Sequence, residues 1–142
     1  MRMRDAKALR GQMEATFAKA APVMTNDEVI ENRVLCQLWT PGKHSVGEVY
    51  ITIDTQIWQC IQAYDNAVYP DIVPGNAPWG TFHKPYHGTT EETAMPWVQP
   101  TGAHDRYLTG EYMIWTDGLA YRCMGDTVYT PEEYAAAWEV QG

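Results

Sequence analysis

The chain has 142 residues, enough for about one domain or two very small ones, and carries 10 Lys and Arg against 18 Asp and Glu, a formal charge of −8. That acidity excludes nucleic acid and anionic membrane surfaces as partners, because both are held by clustered Lys and Arg. A hydrophobic share of 45% and a charged share of 20% exclude a disordered chain. No apolar run of membrane-spanning length occurs, and Met1–Asp5 leads into alternating polar and apolar residues. The reading is a soluble chain made in the cytosol, with no signal peptide. Cys36, Cys60 and Cys123 form no CxxC pair, so they are expected to pack as buried thiols rather than in a disulfide or zinc framework.

In chain order, Ala6, Leu9, Met13 and Phe17 recur at the spacing of one helical face, with Arg4, Lys7, Arg10 and Glu14 on others, and Pro22 marks the stop. Thr25-Asn26-Asp27-Glu28 then has the form of a capping box ahead of Val29, Ile30, Val34 and Leu38. Residues 1–37 are therefore expected to form a helical arm. Gly11 weakens its first helix by about 1 kcal/mol relative to Ala, so the arm is expected to need a partner, either its own β-domain or another subunit.

Beyond Trp39 the chain repeats itself. Gly47-Glu48 and Gly110-Glu111 lie 63 residues apart, and the same offset relates Ile51 to Ile114, Asp54 to Asp117, Trp58 to Tyr121 and Cys60 to Cys123. Each copy predicts a strand, a tight turn and a second strand ending in aromatic-x-Cys. Asp117-Gly118 is a strong hairpin signal because its turn needs positive φ, whereas Asp54-Thr55 is a weaker counterpart. A Pro-containing loop follows in each, at Tyr69-Pro70-Asp71 and Tyr129-Thr130-Pro131-Glu132, and then a Trp, Trp79 or Trp138, expected in a closing strand. The fold class expected is mainly β with an N-terminal α-helical arm, an α+β chain with two small antiparallel β-modules in tandem. The modules span 38–82 and 97–142, and 83–96, rich in breakers, is expected as a linker. Trp39, Trp58, Trp79, Trp97, Tyr121 and Trp138 are expected in the small cores.

Six Trp and nine Tyr stand against two Phe, a bias toward aromatics that join an apolar plate to a polar handle. Catalytic patterns are weak. His83 and His87 are four apart, but Pro85 and Gly88 argue against the helix that a metal pair would need, so no metal or cofactor is expected. His104-Asp105 lacks a motif-linked nucleophile and reads as a turn stabiliser. Glu91-Glu92 and Glu132-Glu133 are adjacent pairs whose side chains diverge, unlike the facing carboxylates of a glycosidase, and read as solvated surface. The chain is accordingly read as non-enzymatic.

The series Tyr107, Gly110-Glu111, Asp117-Gly118, Tyr121-Arg122-Cys123, Thr130-Pro131 and Trp138-Glu139-Val140 resembles the chitin-binding type 3 modules, the carbohydrate-binding modules of families five and twelve. The first copy matches at Trp39, Gly47-Glu48, Trp58-Gln59-Cys60, Pro70 and Trp79, with Thr55 in place of the turn Gly. The whole chain resembles a group of short phage and prophage proteins with a helical arm and two such modules. Gln62-Ala63 and the junction Trp97–Tyr107, a Trp leading into Gln-Pro-x-Gly-x-His-Asp, carry that likeness. The resemblance implies a virion protein, tail-associated, made in the host cytoplasm. Its arm would dock to phage structural proteins or self-associate, and its modules would meet host cell-wall polysaccharide. It also implies sugar-stacking aromatics at Tyr64, Tyr69, Tyr129 and Tyr134, although the adjacent Trp residues of the chitin binders are missing. The rival expectations are a structural capsid or tail decoration protein without sugar binding, and the targeting module of a cell-wall hydrolase.

Overall fold

A computed structural model describes residues 2–142. Ala, Arg, Lys, Glu, Gln and Met fill most of the first helix, residues that lose little rotamer freedom in that conformation, and α1 spans Met3–Ala20. Pro22 sits in a 3₁₀ turn, Ala21–Val23. The capping box forms: the Glu28 amide donates to Thr25 Oγ1 at 3.2 Å, and the Thr25 amide donates to the Glu28 carboxylate at 3.1 Å. It opens α2, Asn26–Glu31. Phe17, Ala21, Val29 and Ile30 are buried with Ile57, Tyr86 and Met95 in one cluster. The arm is thereby anchored from Phe17 onward, while residues 2–13 stay exposed, with Arg10 donating to the Val34 carbonyl.

The first module contains β1 (Gln37–Leu38), β2 (Lys43–His44), β3 (Val49–Ile51), β4 (Ile57–Cys60), β5 (Tyr64–Asp65), the short helix α3 (Trp79–Phe82) and β6 (His83–Pro85). The second contains β7 (Met95–Pro96), β8 (Tyr112–Ile114), β9 (Ala120–Cys123) and β10 (Trp138–Gln141). Two four-stranded sheets result, β1-β3-β4-β6 and β10-β9-β8-β7, and β2 pairs with β5 in a separate ribbon. In each sheet one edge strand runs parallel to its neighbour, β1 on β3 and β7 on β8, and the other pairings are antiparallel. The chain is thus α+β, with a helical arm ahead of small, largely antiparallel sheets.

The 63-residue repeat is carried by the backbone. Gly47 donates to the Cys60 carbonyl and Gly110 to the Cys123 carbonyl, both at 2.8 Å. Both glycines have φ of 93°, a left-handed value that a Cβ would strain. Cys60 and Cys123 are free and buried, their thiols donating to the carbonyls of Gln62 and Gly125. Cys36 is also free, and burial pushes its thiol up to about 11.

Three expectations differ from the structure. Trp79 does not lie in a closing strand but opens α3. The position opposite Cys60 is taken by His83, as Trp138 is opposite Cys123. Residues 83–96 do not form a free linker: they include β6 and β7, the edge strands of the two sheets. The Asp27 carboxylate accepts from the Thr89 amide and the Thr93 hydroxyl, both at 2.7 Å, which ties this stretch to α2. Gly88 is required there, since a Cβ would come within 2.0 Å of the Thr93 carbonyl. The third difference is Tyr64, which lies in the core.

Thr55 occupies the hairpin position of Gly118 and shares its backbone, φ 71° against 81°. A β-branched residue in that region is strained by roughly 1–2 kcal/mol, partly offset by the extra unfolded-state freedom of Gly. Thr55→Gly is therefore expected to stabilise the protein by about 0.5–1 kcal/mol, read as a higher midpoint in thermal unfolding.

Candidate functional site

The four tyrosines fall in two environments. Tyr64, on β5, is 7% exposed. Its hydroxyl accepts from Trp39 Nε1 at 2.8 Å and lies 2.9 Å from His83 Nε2, which Tyr50 also approaches. Little of it is open to a ligand, although what remains lines one groove together with Tyr69. Its repeat counterpart is Thr127, since His44 pairs with Tyr64 as Tyr107 does with Thr127. Tyr69, Tyr129 and Tyr134 are 62%, 52% and 53% exposed.

Local hydrogen bonds hold these three loops. Tyr69 closes a turn by donating its amide to the Asp65 carbonyl at 2.9 Å, and its ring borders an open groove with Val68, Pro70, Ile72 and Phe82. The Tyr129 amide donates to Thr127 Oγ1 and its carbonyl accepts from Trp138 Nε1, both at 3.0 Å. Tyr134 follows a turn in which Thr130 and Glu133 cap each other: the Glu133 amide donates to Thr130 Oγ1 and the Thr130 amide to the Glu133 carboxylate. Glu133 is therefore more than solvated surface. Each loop sets an exposed ring on a fixed backbone, an arrangement suited to stacking on the C–H face of a ring ligand.

Behind Tyr64 lies a closed aromatic cluster. His83 Nδ1 donates to the Trp79 carbonyl at 3.0 Å, which leaves Nε2 to accept from Tyr50 and Tyr64. Trp79 stacks on the His83 ring with centroids 3.6 Å apart. His83 is fully buried, and burial pushes it down to about 4. Burial, reinforced by the Tyr64 hydroxyl, holds the Tyr50 phenol far above its ordinary value. The second module uses different groups: Tyr107 lies between His87 and Trp97, and His87 Nδ1 is 2.9 Å from Glu111. Trp58, Trp79 and Trp138 are buried, and Trp39, Trp97 and Tyr121 pack half-buried against the same clusters. Asp105, also buried, accepts from the Thr101 and Gly102 amides and so organises its turn, as the sequence suggests.

One surface feature has no counterpart among the predicted residues. Trp115, Tyr121 and Val140 line an open groove edged by Asp117 and Glu132. The Tyr121 hydroxyl donates to Asp117 Oδ2 at 2.6 Å, which holds that carboxyl below its usual range and raises the phenol. The signal available in the sequence was Trp115, which takes the repeat position of Thr52.

No protein-family model matches the chain, and no curated protein matches it either.

Proposed function

We propose that the chain is a non-enzymatic, tail-associated virion protein whose two carbohydrate-binding-like modules present aromatic rings to host cell-surface glycans. The observation that carries this reading is the exposure of Tyr69 and Tyr129, each at the Pro loop of its own module. The resemblance to chitin-binding type 3 modules supports a pyranose polymer as ligand. Tyr129 and Tyr134 serve the second module; in the first, Tyr69 supplies the exposed ring, and the mostly buried Tyr64 lines the same groove beside it. Two weak tethered sites raise effective concentration, and repetition on a particle raises it further.

The test is co-sedimentation of the purified chain with insoluble chitin, peptidoglycan and host cell walls. Each stacking ring contributes about 1 kcal/mol, so replacing both Tyr69 and Tyr129 by Ala is expected to weaken retention by about tenfold or more without altering the thermal midpoint. Retention that ignores both substitutions, or absence of retention on all three materials, overturns glycan recognition. The arm remains the element of assembly in either case, since its exposed first three turns need a covering surface.

A further inference from the structure

Charge is divided unevenly along the chain. Within residues 1–20, Arg2, Arg4, Lys7, Arg10 and Lys19 stand against Asp5 and Glu14. That stretch is +3, and the remainder, with five basic and sixteen acidic residues, is −11. On α1 no residue before Phe17 is buried. Leu9 and Met13 are 45% and 48% exposed, and they continue the line that buries Phe17. The stretch before Phe17, about 14 residues, is of the length at which a lone helix is marginal in water, and Gly11 weakens it further. A basic amphipathic helix is therefore only partly covered in the single chain: Leu9 and Met13 border an open groove with Met24 and Leu35, and Arg10 donates to the Val34 carbonyl.

The groove of the second module has the complementary properties, with aromatic and aliphatic lining from Trp115, Tyr121 and Val140 and acidic edges from Asp117 and Glu132. The first module already uses this face to hold polypeptide. Asp54 and Trp58, the repeat counterparts of Asp117 and Tyr121, line a crevice whose other wall is Trp97–Asp105 of the second module. There Val98 packs against the cluster of Trp58 and Trp79, and His104 Nε2 lies 3.1 Å from the Gly80 carbonyl. The corresponding loop of the first module is too short to do the same in a second copy. Four residues separate Trp39 from His44, where nine separate Trp97 from Tyr107. The arm is the remaining segment of suitable shape and charge.

We propose that α1 of one copy lies in the Trp115–Tyr121–Val140 groove of a second copy, with Leu9 and Met13 on the aromatic lining and the basic residues beside Asp117 and Glu132. This is helix-in-groove recognition. It rests on the assembly role given to the arm above and is independent of glycan binding. Reciprocal exchange of arms between two copies closes a two-fold dimer, and one-way exchange along a series of copies builds rings or filaments.

Sedimentation velocity on the full chain tests this. The unsubstituted protein is expected to self-associate as dimers or larger species, dissociating as salt is raised. An arm variant, Leu9→Glu with Met13→Glu, and a groove variant, Glu132→Arg with Val140→Arg, are each expected to associate at least about tenfold more weakly. An equimolar mixture of the two should yield a 1:1 heterodimer and nothing larger, because it leaves one intact arm and one intact groove. Zero-length carbodiimide coupling of the unsubstituted chain should join Lys7 to Asp117 or Glu132 between copies, a readout independent of how the variants fold. A monomer at all concentrations overturns both this docking and self-association through the arm. Undiminished association of the groove variant, a mixture that stays monomeric, or absence of those cross-links overturns this docking alone.

Discussion

Replacing Tyr107 by Ala is expected to lower the unfolding free energy by about 3–5 kcal/mol, the usual range for removing a large buried aromatic. Tyr107 is 1% exposed. Its ring is stacked between His87, at 3.8 Å and 7° between planes, and Trp97, at 5.0 Å and 10°, and it meets Trp138 edge-on at 5.2 Å. Its hydroxyl accepts from the Val98 amide at 3.0 Å, and its backbone bonds Thr127 in both directions. A module of fewer than about 50 residues buries little surface, so one such ring carries an unusually large share of its stability. Tyr107→Phe keeps the stack and removes only the acceptor, leaving a part-buried amide unpaired at a cost of about 1–2 kcal/mol. Urea unfolding of the two variants should separate these contributions. Equal losses for Ala and Phe would show that the hydroxyl, not the ring, holds the second core.

Acidification from pH 6.5 to about 4 is expected to remove about 3 kcal/mol of stability through His83 alone. The folded protein holds this imidazole neutral, with its pKa pushed from 6.5 down to about 4 by burial. The unfolded chain therefore binds the proton first as pH falls. Stability is complete above the unfolded value, declines through the window between the two, and levels off below the folded value as far as this group is concerned. The ring has no solvent path: Nδ1 donates to the Trp79 carbonyl, Nε2 faces Tyr50 and Tyr64, and the neighbouring imidazole of His44 disfavours a second positive charge. Asp117 and Asp126 are held below the ordinary carboxylate range, chiefly by bonds from Tyr121 and from the Thr109 amide, and so titrate below this window. Urea unfolding across pH 4–7 checks the slope, and His83→Gln should flatten it whatever its effect at neutral pH. An unchanged slope in that variant would assign the acid sensitivity to other groups.

Features written in short-range chemistry were legible from the residues. The α1 periodicity, the Thr25–Glu28 box, the Gly-Glu pairs with their left-handed glycines and the aromatic-x-Cys strand ends each depend on a few neighbouring residues, and each lies where the pattern places it. The helical arm ahead of small antiparallel sheets and the duplication followed from them. The two-residue edge strands β1 and β7 are too short to carry a periodic signal, and their parallel pairing depends on segments brought together from elsewhere. Tyr64 and Tyr69 differ little as sequence, yet one is closed in by Trp39, Tyr50 and His83 and the other stands at a loop surface. Likewise, the face at Asp54 and Trp58 is walled by the next module while its copy at Asp117 and Tyr121 is open. Residue type set which side chains could stack, cap or turn the chain. Burial, which decides whether an aromatic ring serves as core or as surface, was set by what packs over it from distant parts of the chain, and only the tertiary structure determines that.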